Sequence, residues 1–366
     1  MTHAWMDGEP AALATAIAEA AKLLAASRQP VIAGLGTDVA GARAAILLAE
    51  RSGAVIDHMH SAAVLCDLEV RRTSGVMLTT PTETDVRADT LLVVGTGLGA
   101  APGAAEDELL GRLLRDRVAD NGGARRIIWL CGAGETAKLA SSTASVAAIG
   151  KGVDELPVLL GALRARIAGR PTGKTGLSAK KLEDVAVQLK SARFGVAIWR
   201  IGALDALTTE MLCGLVNDLN LTTRFSTLPF APADNAVGVL QACGWMTGLP
   251  MRTGFGRGFP EHDPWLFDAD RLAAAGEADC VIWISAYRAQ APQWREAPPI
   301  IALTGHDAGF RKAPRVHIDV GRPGVDHAAV EHSSRTGTLA AVAATRPSEK
   351  ISVAEAMTRI ASAMPG

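Results

Sequence analysis

The sequence predicts an α/β fold built from two or more Rossmann-like, doubly wound lobes. Short apolar runs alternate with alanine-rich stretches of helical periodicity along the chain of 366 residues. The apolar runs are continuous and do not alternate with polar residues, as expected of strands buried on both faces of a parallel sheet. At ~150 residues per domain, the length corresponds to about two to three lobes.

The first predicted lobe covers residues 1–168. Its first helix covers residues 11–27, where leucine, isoleucine and alanine recur at helical spacing. Asp38 is positioned to cap a second helix that ends near Ser52. The predicted strands of this lobe are Pro30–Gly34, Ala54–Asp57, Thr90–Gly95, Arg126–Leu130 and Ser145–Ile149.

A polar segment at 169–177, punctuated by glycine and proline, predicts a linker or exposed loop. The pattern then starts again and predicts a second α/β lobe over residues 178–366. Five glycines and three prolines between Gly244 and Pro264 indicate a long loop within it. The predicted helices of this lobe are 178–191, 204–220 and 352–363, and its predicted strands are Phe194–Trp199, Cys280–Ser285, Ile300–Leu303 and Val316–Asp319.

Composition excludes several classes of protein. With 37 basic and 38 acidic side chains, the chain has no general electrostatic affinity for nucleic acid or an anionic membrane. Its apolar runs are far shorter than the ~20 residues that cross a bilayer. The five cysteines are scattered, which argues against a disulfide scaffold. Asp7 and Glu9 precede the first apolar stretch, so we expect no export signal and a cytoplasmic protein.

Two glycine-rich turns follow predicted strands, one at Gly34 and one over Gly95–Ala100. The second partly resembles the dinucleotide fingerprint, in which glycines let backbone amides approach a pyrophosphate. It lacks an acidic residue at the end of a following strand, at the usual offset of ~20 residues. A tight strand-to-helix turn is therefore the favoured interpretation, and a nucleotide-binding protein is the alternative.

Two further groups of residues carry possible chemistry. His58 and His60 lie on the same side of an extended chain and form a possible metal pair, but without a third ligand nearby a surface or interface role is favoured. Arg252 and Arg257 lie on a glycine-rich loop that ends at His262. Their guanidinium groups can hold a phosphate or carboxylate through forked hydrogen bonds, or form salt bridges that order the loop.

Three segments together resemble the B subunits of formylmethanofuran dehydrogenases, which are relatives of molybdopterin-dependent formate dehydrogenases. They are residues 29–57, residues 87–95 and residues 244–283, and their order and spacing carry the resemblance. It extends over about residues 30–348. The resemblance implies a fold related to that of molybdopterin oxidoreductases.

The chain departs from the metal-bearing members of this family. Those relatives begin with a cysteine-rich segment that holds an iron–sulfur cluster, whereas this chain begins Met1-Thr-His-Ala-Trp. Their cysteine or selenocysteine metal ligand aligns with Ala63, and Cys66 lies three residues too late. A methyl group cannot ligate tungsten or molybdenum. We therefore expect no metal and no cofactor in this chain.

This pattern resembles the B subunit of the formyltransferase/hydrolase complex of methylotrophic bacteria. The resemblance implies a non-redox structural subunit in tetrahydromethanopterin- and methanofuran-linked oxidation of formaldehyde to formate. It implies partner subunits A, C and D, with formyl transfer in D and zinc-dependent hydrolysis in A. Neither nucleic acid nor a membrane is an expected partner.

Two hypotheses accompany this interpretation. The alternative function is an active molybdenum- or tungsten-pterin subunit whose metal ligand is Ser61 or Asp67. In the relatives, the loop that matches Arg252 and Arg257 lies near the pterin. We therefore predict a vestigial anion pocket formed by Arg252, Arg257 and His262, occupied by carboxylates from the poly-glutamyl tail of a methanofuran-like carrier.

Overall fold

The computed structural model describes residues 3–98, 105–114, 124–132, 146–294 and 298–365. The strands are β1 (Ala4–Met6), β2 (Glu9–Pro10), β3 (Pro30–Gly36), β4 (Val55–Ile56), β5 (Thr90–Val94), β6 (Arg126–Leu130), β7 (Val146–Ile149), β8 (Gly195–Arg200), β9 (Phe225–Phe230), β10 (Thr253–Gly254), β11 (Glu261–His262), β12 (Cys280–Ser285), β13 (Ile300–Thr304), β14 (Val316–Asp319), β15 (Ala329–Ser333) and β16 (Thr338–Val342). The helices are α1 (Leu13–Ala26), α2 (Val39–Ser52), α3 (Ser61–Ser74), α4 (Pro81–Arg87), α5 (Ala105–Leu113), α6 (Leu156–Ile167), α7 (Ala179–Lys190), α8 (Ala206–Leu219), α9 (Ala236–Thr247), α10 (Ala269–Ala274) and α11 (Val353–Ala363).

The chain forms two compact units, each with its own sheet, and both are discontinuous in sequence. Unit 1 combines residues 1–65, 233–332 and 339–366. Unit 2 combines residues 66–232 and 333–338. The α/β class with Rossmann-like parallel sheets is thus confirmed, whereas the division along the chain differs from the predicted one.

The sheet of unit 1 has a parallel centre and antiparallel edges. Its strand order is β11-β10-β4-β3-β12-β13-β14-β1-β2. The strands from β4 to β14 are parallel, and β1, β2, β10 and β11 add antiparallel pairs at the two edges. Numbered in chain order, the parallel strands follow the flavodoxin-like order 2-1-3-4-5. The order reverses between β3 and β12.

The sheet of unit 2 is wholly parallel, with the order β7-β6-β5-β8-β9. Alternate residues of its strands enter two separate cores. Leu92 and Val94 of β5 pack with residues of α6, α7 and α8, whereas Leu91 and Val93 pack with Leu110 of α5. Helices therefore cover both faces, which is the doubly wound arrangement that the continuous apolar runs predict.

The domain boundary predicted at 169–177 requires correction. β5, which precedes this segment, pairs in parallel with β8, which follows it, so that Thr90 is opposite Gly195. The segment lies between α6 and α7 of unit 2 and is mostly exposed, as expected of a loop. Lobes covering residues 1–168 and 178–366 are therefore wrong, because one sheet contains strands from both.

Local sequence signals explain most element ends. Asp38 caps α2 by accepting a hydrogen bond from the Gly41 amide at 3.0 Å, and Ser178 caps α7 in the same way. The loop predicted from Gly244 onward begins later, since α9 extends to Thr247 and ends at Gly248 in the left-handed conformation.

In the part of the chain that the structure describes, no helix is both long enough and apolar enough to cross a bilayer.

A close approach between β3 and β12 requires glycine at position 34. Gly34 has φ +77°, and a Cβ atom there would lie 2.5 Å from the carbonyl oxygen of Ile284. Gly53 has a similar φ of +69°, but its nearest neighbour would be 3.6 Å away. We expect Gly53→Ala to lower the free energy of unfolding by about 1 kcal/mol, the cost of left-handed backbone alone.

Gly34→Ala should lower the free energy of unfolding clearly more than Gly53→Ala does, because it adds a backbone clash to the same dihedral strain. Denaturant unfolding of both variants measures the difference. Equal losses of stability would contradict the close approach of the two strands.

Candidate functional site

The candidate functional site lies at the carboxyl edge of the unit 1 sheet, at the reversal between β3 and β12. In open α/β sheets, connections that leave the strands in opposite directions open a crevice at this point. The segments that follow β3, β4 and β12 meet here, together with the turn that precedes α9. The polar side chains described below come from these segments.

His58 joins two of these segments and is fixed in its neutral form. Its Nδ1 accepts a hydrogen bond from the His60 amide at 3.0 Å, and its Nε2 lies 3.1 Å from the carbonyl oxygen of Asp234. Because Nδ1 accepts, Nε2 carries the proton and donates it to Asp234. Burial lowers the pKa of His58 to about 4. The imidazole is thus a buried bridge and does not lie on the surface.

Asp234 contacts the side chains of His60 and Arg288. Its side chain is 1% exposed, His60 Nε2 lies 3.2 Å from its Oδ2, and Arg288 Nε donates to its Oδ1 at 3.0 Å. Arg288 also donates from Nη2 to Oδ2. Burial opposes the negative charge, but the hydrogen bonds from His60 and Arg288 outweigh it and hold the pKa of Asp234 below its ordinary value. The carboxylate is therefore already neutralised by the chain itself.

Asp57 forms a second buried group directly after β4. Its Oδ2 accepts a hydrogen bond from the Ala269 amide at 2.9 Å, and Arg252 Nε lies 3.5 Å away. Arg252 Nη2 pairs at 2.6 Å with Asp268. Burial raises the pKa of Asp57 to about 6, although the Ala269 amide, the Ser61 hydroxyl and Arg252 each lower it. Asp57 is thus a carboxyl group that exchanges its proton near neutral pH.

The three residues predicted to form an anion pocket lie on the β10–β11 hairpin and do not converge. Arg252 is committed to two carboxylates and to the carbonyl oxygen of Pro264, at 2.5 Å. Arg257 is 74% exposed and pairs with Glu261. His262 Nδ1 donates to the Arg252 carbonyl oxygen at 2.9 Å. An anion at Arg252 would compete with Asp57 and Asp268, so the salt-bridge alternative fits Arg252 better, and binding of an anion stays a prediction.

A cavity of about 170 Å³ opens at this edge. Asp57, Arg252 and Asp270 contribute charged groups to its lining, and Met59 and Trp283 contribute apolar ones. The two carboxylates and one guanidinium give the lining no excess of positive charge. The space admits a molecule of a few heavy atoms.

The side chains near Ala63 do not fit a metal-pterin centre. Ala63 lies in the first turn of α3 and offers no ligand atom. Ser61 Oγ accepts a hydrogen bond from the His58 amide at 3.0 Å, and Asp67 is held by Arg71 at 2.6 Å and by the Trp199 indole. Within the described ranges, no three His, Cys, Asp or Glu side chains are grouped as a metal site requires.

The glycine turns use their polar groups within the chain. After Gly34, the carboxylate of Asp38 caps the amino end of α2, where the nucleotide-binding alternative would place a phosphate. At the second turn, the carbonyl of Gly95 accepts from the Trp129 indole and that of Gly97 accepts from Arg200. Gly99 and Ala100 of this motif lie outside the described residues. These contacts favour the interpretation as tight turns.

Sequence reasoning did not identify three residues of this site. Asp234 and Arg288 were missed because they lie 174 and 228 positions from His60, with no motif around them. Asp57 was recognised as a strand end, and its position at the carboxyl end of a parallel strand was the available signal.

Comparison with known proteins places the chain in a family. No protein-family model matches the sequence. The B subunit of the formyltransferase/hydrolase complex Fhc from Methylorubrum extorquens is 34% identical over 368 residues, which cover 98% of this chain and 96% of that protein. The chain belongs to this family of B subunits.

Structural comparison agrees. A chain in the crystal structure of the formyltransferase/hydrolase complex FhcABCD from Methylorubrum extorquens, in complex with methylofuran, matches with a TM-score of 0.86 at 35% identity. The match covers 98% of both chains. The recognition of the family from its three sequence segments is therefore confirmed.

More distant relatives belong to tungsten-containing enzymes. The B subunit of the tungsten-containing formylmethanofuran dehydrogenase 2 from Methanocaldococcus jannaschii is 26% identical over 330 residues, covering 85% of this chain and 74% of that protein. Its counterpart from Methanococcus maripaludis is 24% identical over 311 residues, covering 80% of this chain and 70% of that protein. These matches agree with the predicted link to formylmethanofuran dehydrogenases.

The two buried titrating groups predict opposite effects of pH on stability. The pKa of His58 is lowered to about 4, so between pH 4 and 6.5 the unfolded chain binds its proton and the folded chain does not. Stability from His58 is therefore lost as pH falls through this window. Asp57, with its pKa raised to about 6, is protonated first in the folded chain, and its contribution is lost as pH rises from about 4 to 6.

We expect His58→Gln and Asp57→Asn to change the pH dependence in opposite directions. Without His58, unfolding free energy should rise as pH falls from 6 to 4.5, relative to the unsubstituted chain. Without Asp57, the unfolding free energy should fall more steeply over the same range than it does in the unsubstituted chain. Each difference in slope is limited to about 1.4 kcal/mol per pH unit, the value for one proton. Urea unfolding across this range gives the slope of unfolding free energy against pH for each variant and for the unsubstituted chain. If both variants differ from the unsubstituted chain in the same direction, the assignment is refuted.

Arg252 and Arg257 provide a matched pair of substitutions. Arg252→Ala leaves two largely buried carboxylates without their counter-ion, so it should lower the unfolding free energy by about 3 kcal/mol or more. Arg257→Ala removes an exposed ion pair and should change it by less than about 0.5 kcal/mol. Thermal and urea unfolding measure both, and equal losses would show that Arg252 is not structural.

Proposed function

We propose that this chain is the B subunit of a formyltransferase/hydrolase complex and acts there as a scaffold without redox chemistry. The observation that carries the proposal is the match along the full length of both chains with a chain of the FhcABCD structure. The tungsten-containing relative from Methanocaldococcus jannaschii is matched over 74% of its own length and at lower identity. The active tungsten or molybdenum alternative is therefore less well supported.

The chemistry of the side chains supports the absence of a redox role. Ala63 stands where the sequence resemblance expects a thiolate or selenolate, and Ser61 and Asp67 are both engaged in hydrogen bonds. At the carboxyl edge, Asp234 is paired with Arg288 and lies within hydrogen-bond distance of His60. These groups stabilise connections between segments, which suits a subunit whose task is to hold others.

In this proposal the partners are subunits A, C and D. Zinc and the hydrolysis of the formyl group belong to A, and formyl transfer between tetrahydromethanopterin and a methanofuran-like carrier belongs to D. Of the three residues predicted to hold a poly-glutamyl tail, Arg257 is exposed enough to meet it, with Glu261 as its competitor. The chain itself carries no cofactor in this proposal.

Native purification of the tagged chain from its own cell tests the proposal. We expect an assembly with three further kinds of subunit, zinc in stoichiometric amount, and neither tungsten, molybdenum nor iron at the level of one per copy of this chain. Native mass spectrometry and elemental analysis measure both. Removal of this chain should then separate the subunit that transfers the formyl group from the one that hydrolyses it.

Recovery of a bound pterin with tungsten or molybdenum, together with formate-dependent dye reduction, would overturn the scaffold role in favour of the alternative. A chain purified without partners from the same cell would overturn its membership of a complex.

A further inference from the structure

The connection between β13 and β14 borders two adjoining cavities on unit 1. It covers residues 305–315 and contains no helix. The cavities have volumes of about 550 and 280 Å³, and Phe310, Ala313 and Pro314 line both. Ile300 and Arg315 place part of the larger one at the amino edge of the sheet, whereas Pro292 also lines the cavity at the candidate site. The volume of the larger cavity is typical of a small-molecule site.

The aromatic walls of the larger cavity are held in place. Trp294 donates its indole hydrogen to Asp270 Oδ1 at 2.7 Å and packs edge-on against Trp283, with ring centres 5.5 Å apart. Phe310 packs edge-on against His317 at 5.8 Å. Proline residues form much of the remaining lining: Pro292, Pro298, Pro299 and Pro314. Walls of fixed rings and prolines lose little conformational entropy when a ligand binds.

The charge at this cavity is positive. Arg311 and Lys312 line it and are exposed, and across the described part of the chain neither has a carboxylate within 4 Å. Arg315 is already paired with Asp7 and with Glu19. The acidic lining residue, Asp7, is therefore paired with a cation that it shares with Glu19, and Arg311 and Lys312 supply two further positive charges beside an apolar wall.

We propose that this double cavity binds an organic anion with a flat aromatic ring. The ring packs against Trp294, Phe310 and the prolines, and the acid group meets Arg311 and Lys312. Asp270 and Trp283 of the carboxyl-edge site support Trp294, and Pro292 lines both the larger cavity and the cavity at that site. The contacts proposed for the ligand at Phe310, Arg311 and Lys312 nevertheless lie outside that site. The inference goes beyond the proposed function, and its test does not depend on that function.

A series of three probes that share one ring separates the contributions. Indole-3-acetate carries a negative charge, indole none and tryptamine a positive one. Titration calorimetry on the full chain, in the form in which it is purified, should give the order of affinity indole-3-acetate, then indole, then tryptamine. Binding by none of the three, or tryptamine binding as tightly as indole-3-acetate, would overturn the proposal.

Two variants locate the binding. The double substitution R311Q/K312Q should weaken indole-3-acetate about tenfold and leave indole nearly unchanged, because it removes charge-assisted hydrogen bonds only. F310L should weaken both probes, since it removes a ring wall. R170Q/K174Q, which removes two exposed cations from the loop at 169–177 in unit 2, is the control and should change neither.

The exposed double variant should keep the unfolding temperature of the unsubstituted chain, which separates loss of binding from loss of fold. If R311Q/K312Q binds indole-3-acetate as tightly as the unsubstituted chain, or loses no more affinity than R170Q/K174Q does, the probe binds elsewhere and the proposal is wrong.

Discussion

The parallel pairing of β3 with β12 is the interaction on which unit 1 depends. Residues near position 30 lie beside residues near position 280, and their backbones approach so closely at Gly34 that a Cβ atom has no room. This pairing creates the reversal of strand order at which His58, Asp234 and Arg288 meet. In the strand order, β13 and β14 lie on the other side of β12 from β3 and β4, and the aromatic cavities lie beside β13 and β14.

The carboxyl edge keeps the architecture of a ligand site and uses its polar groups for cohesion. Burial of Asp57, His58 and Asp234 would be costly if their charges or hydrogen bonds were unmatched. Arg252 and Arg288 supply the positive charges, and backbone groups together with the side chains of His60 and Ser61 supply the other partners.

Much of the fold could be predicted because buried parallel strands leave a local signature. The continuous apolar runs that became β3, β5, β6, β8 and β12 needed no tertiary information. β9 was missed, since Ser226, Thr227 and Pro229 interrupt its apolar character. The division into units was also missed, because strands on both sides of residues 169–177 have the same pattern whichever sheet they join.

The site was harder to predict for a related reason. Arg252 was singled out for the right chemistry, a guanidinium that holds carboxylates, but its partners are Asp57 and Asp268 of the same chain. The local sequence does not distinguish an arginine that is available to bind a ligand from one that forms salt bridges with residues distant in the sequence. His58 was likewise visible as a motif, while its burial depended on Asp234, far along the chain.

The discontinuity of unit 1 has a consequence for synthesis on the ribosome. Nearly all of unit 2 is encoded in one stretch, so its sheet can close as soon as residue 232 has left the exit tunnel. The sheet of unit 1 must wait for β12 to β14, and α11, which packs on α1 and α2, emerges after them. For most of translation, the apolar surfaces of α1, α2 and β3 are therefore candidates for chaperone binding.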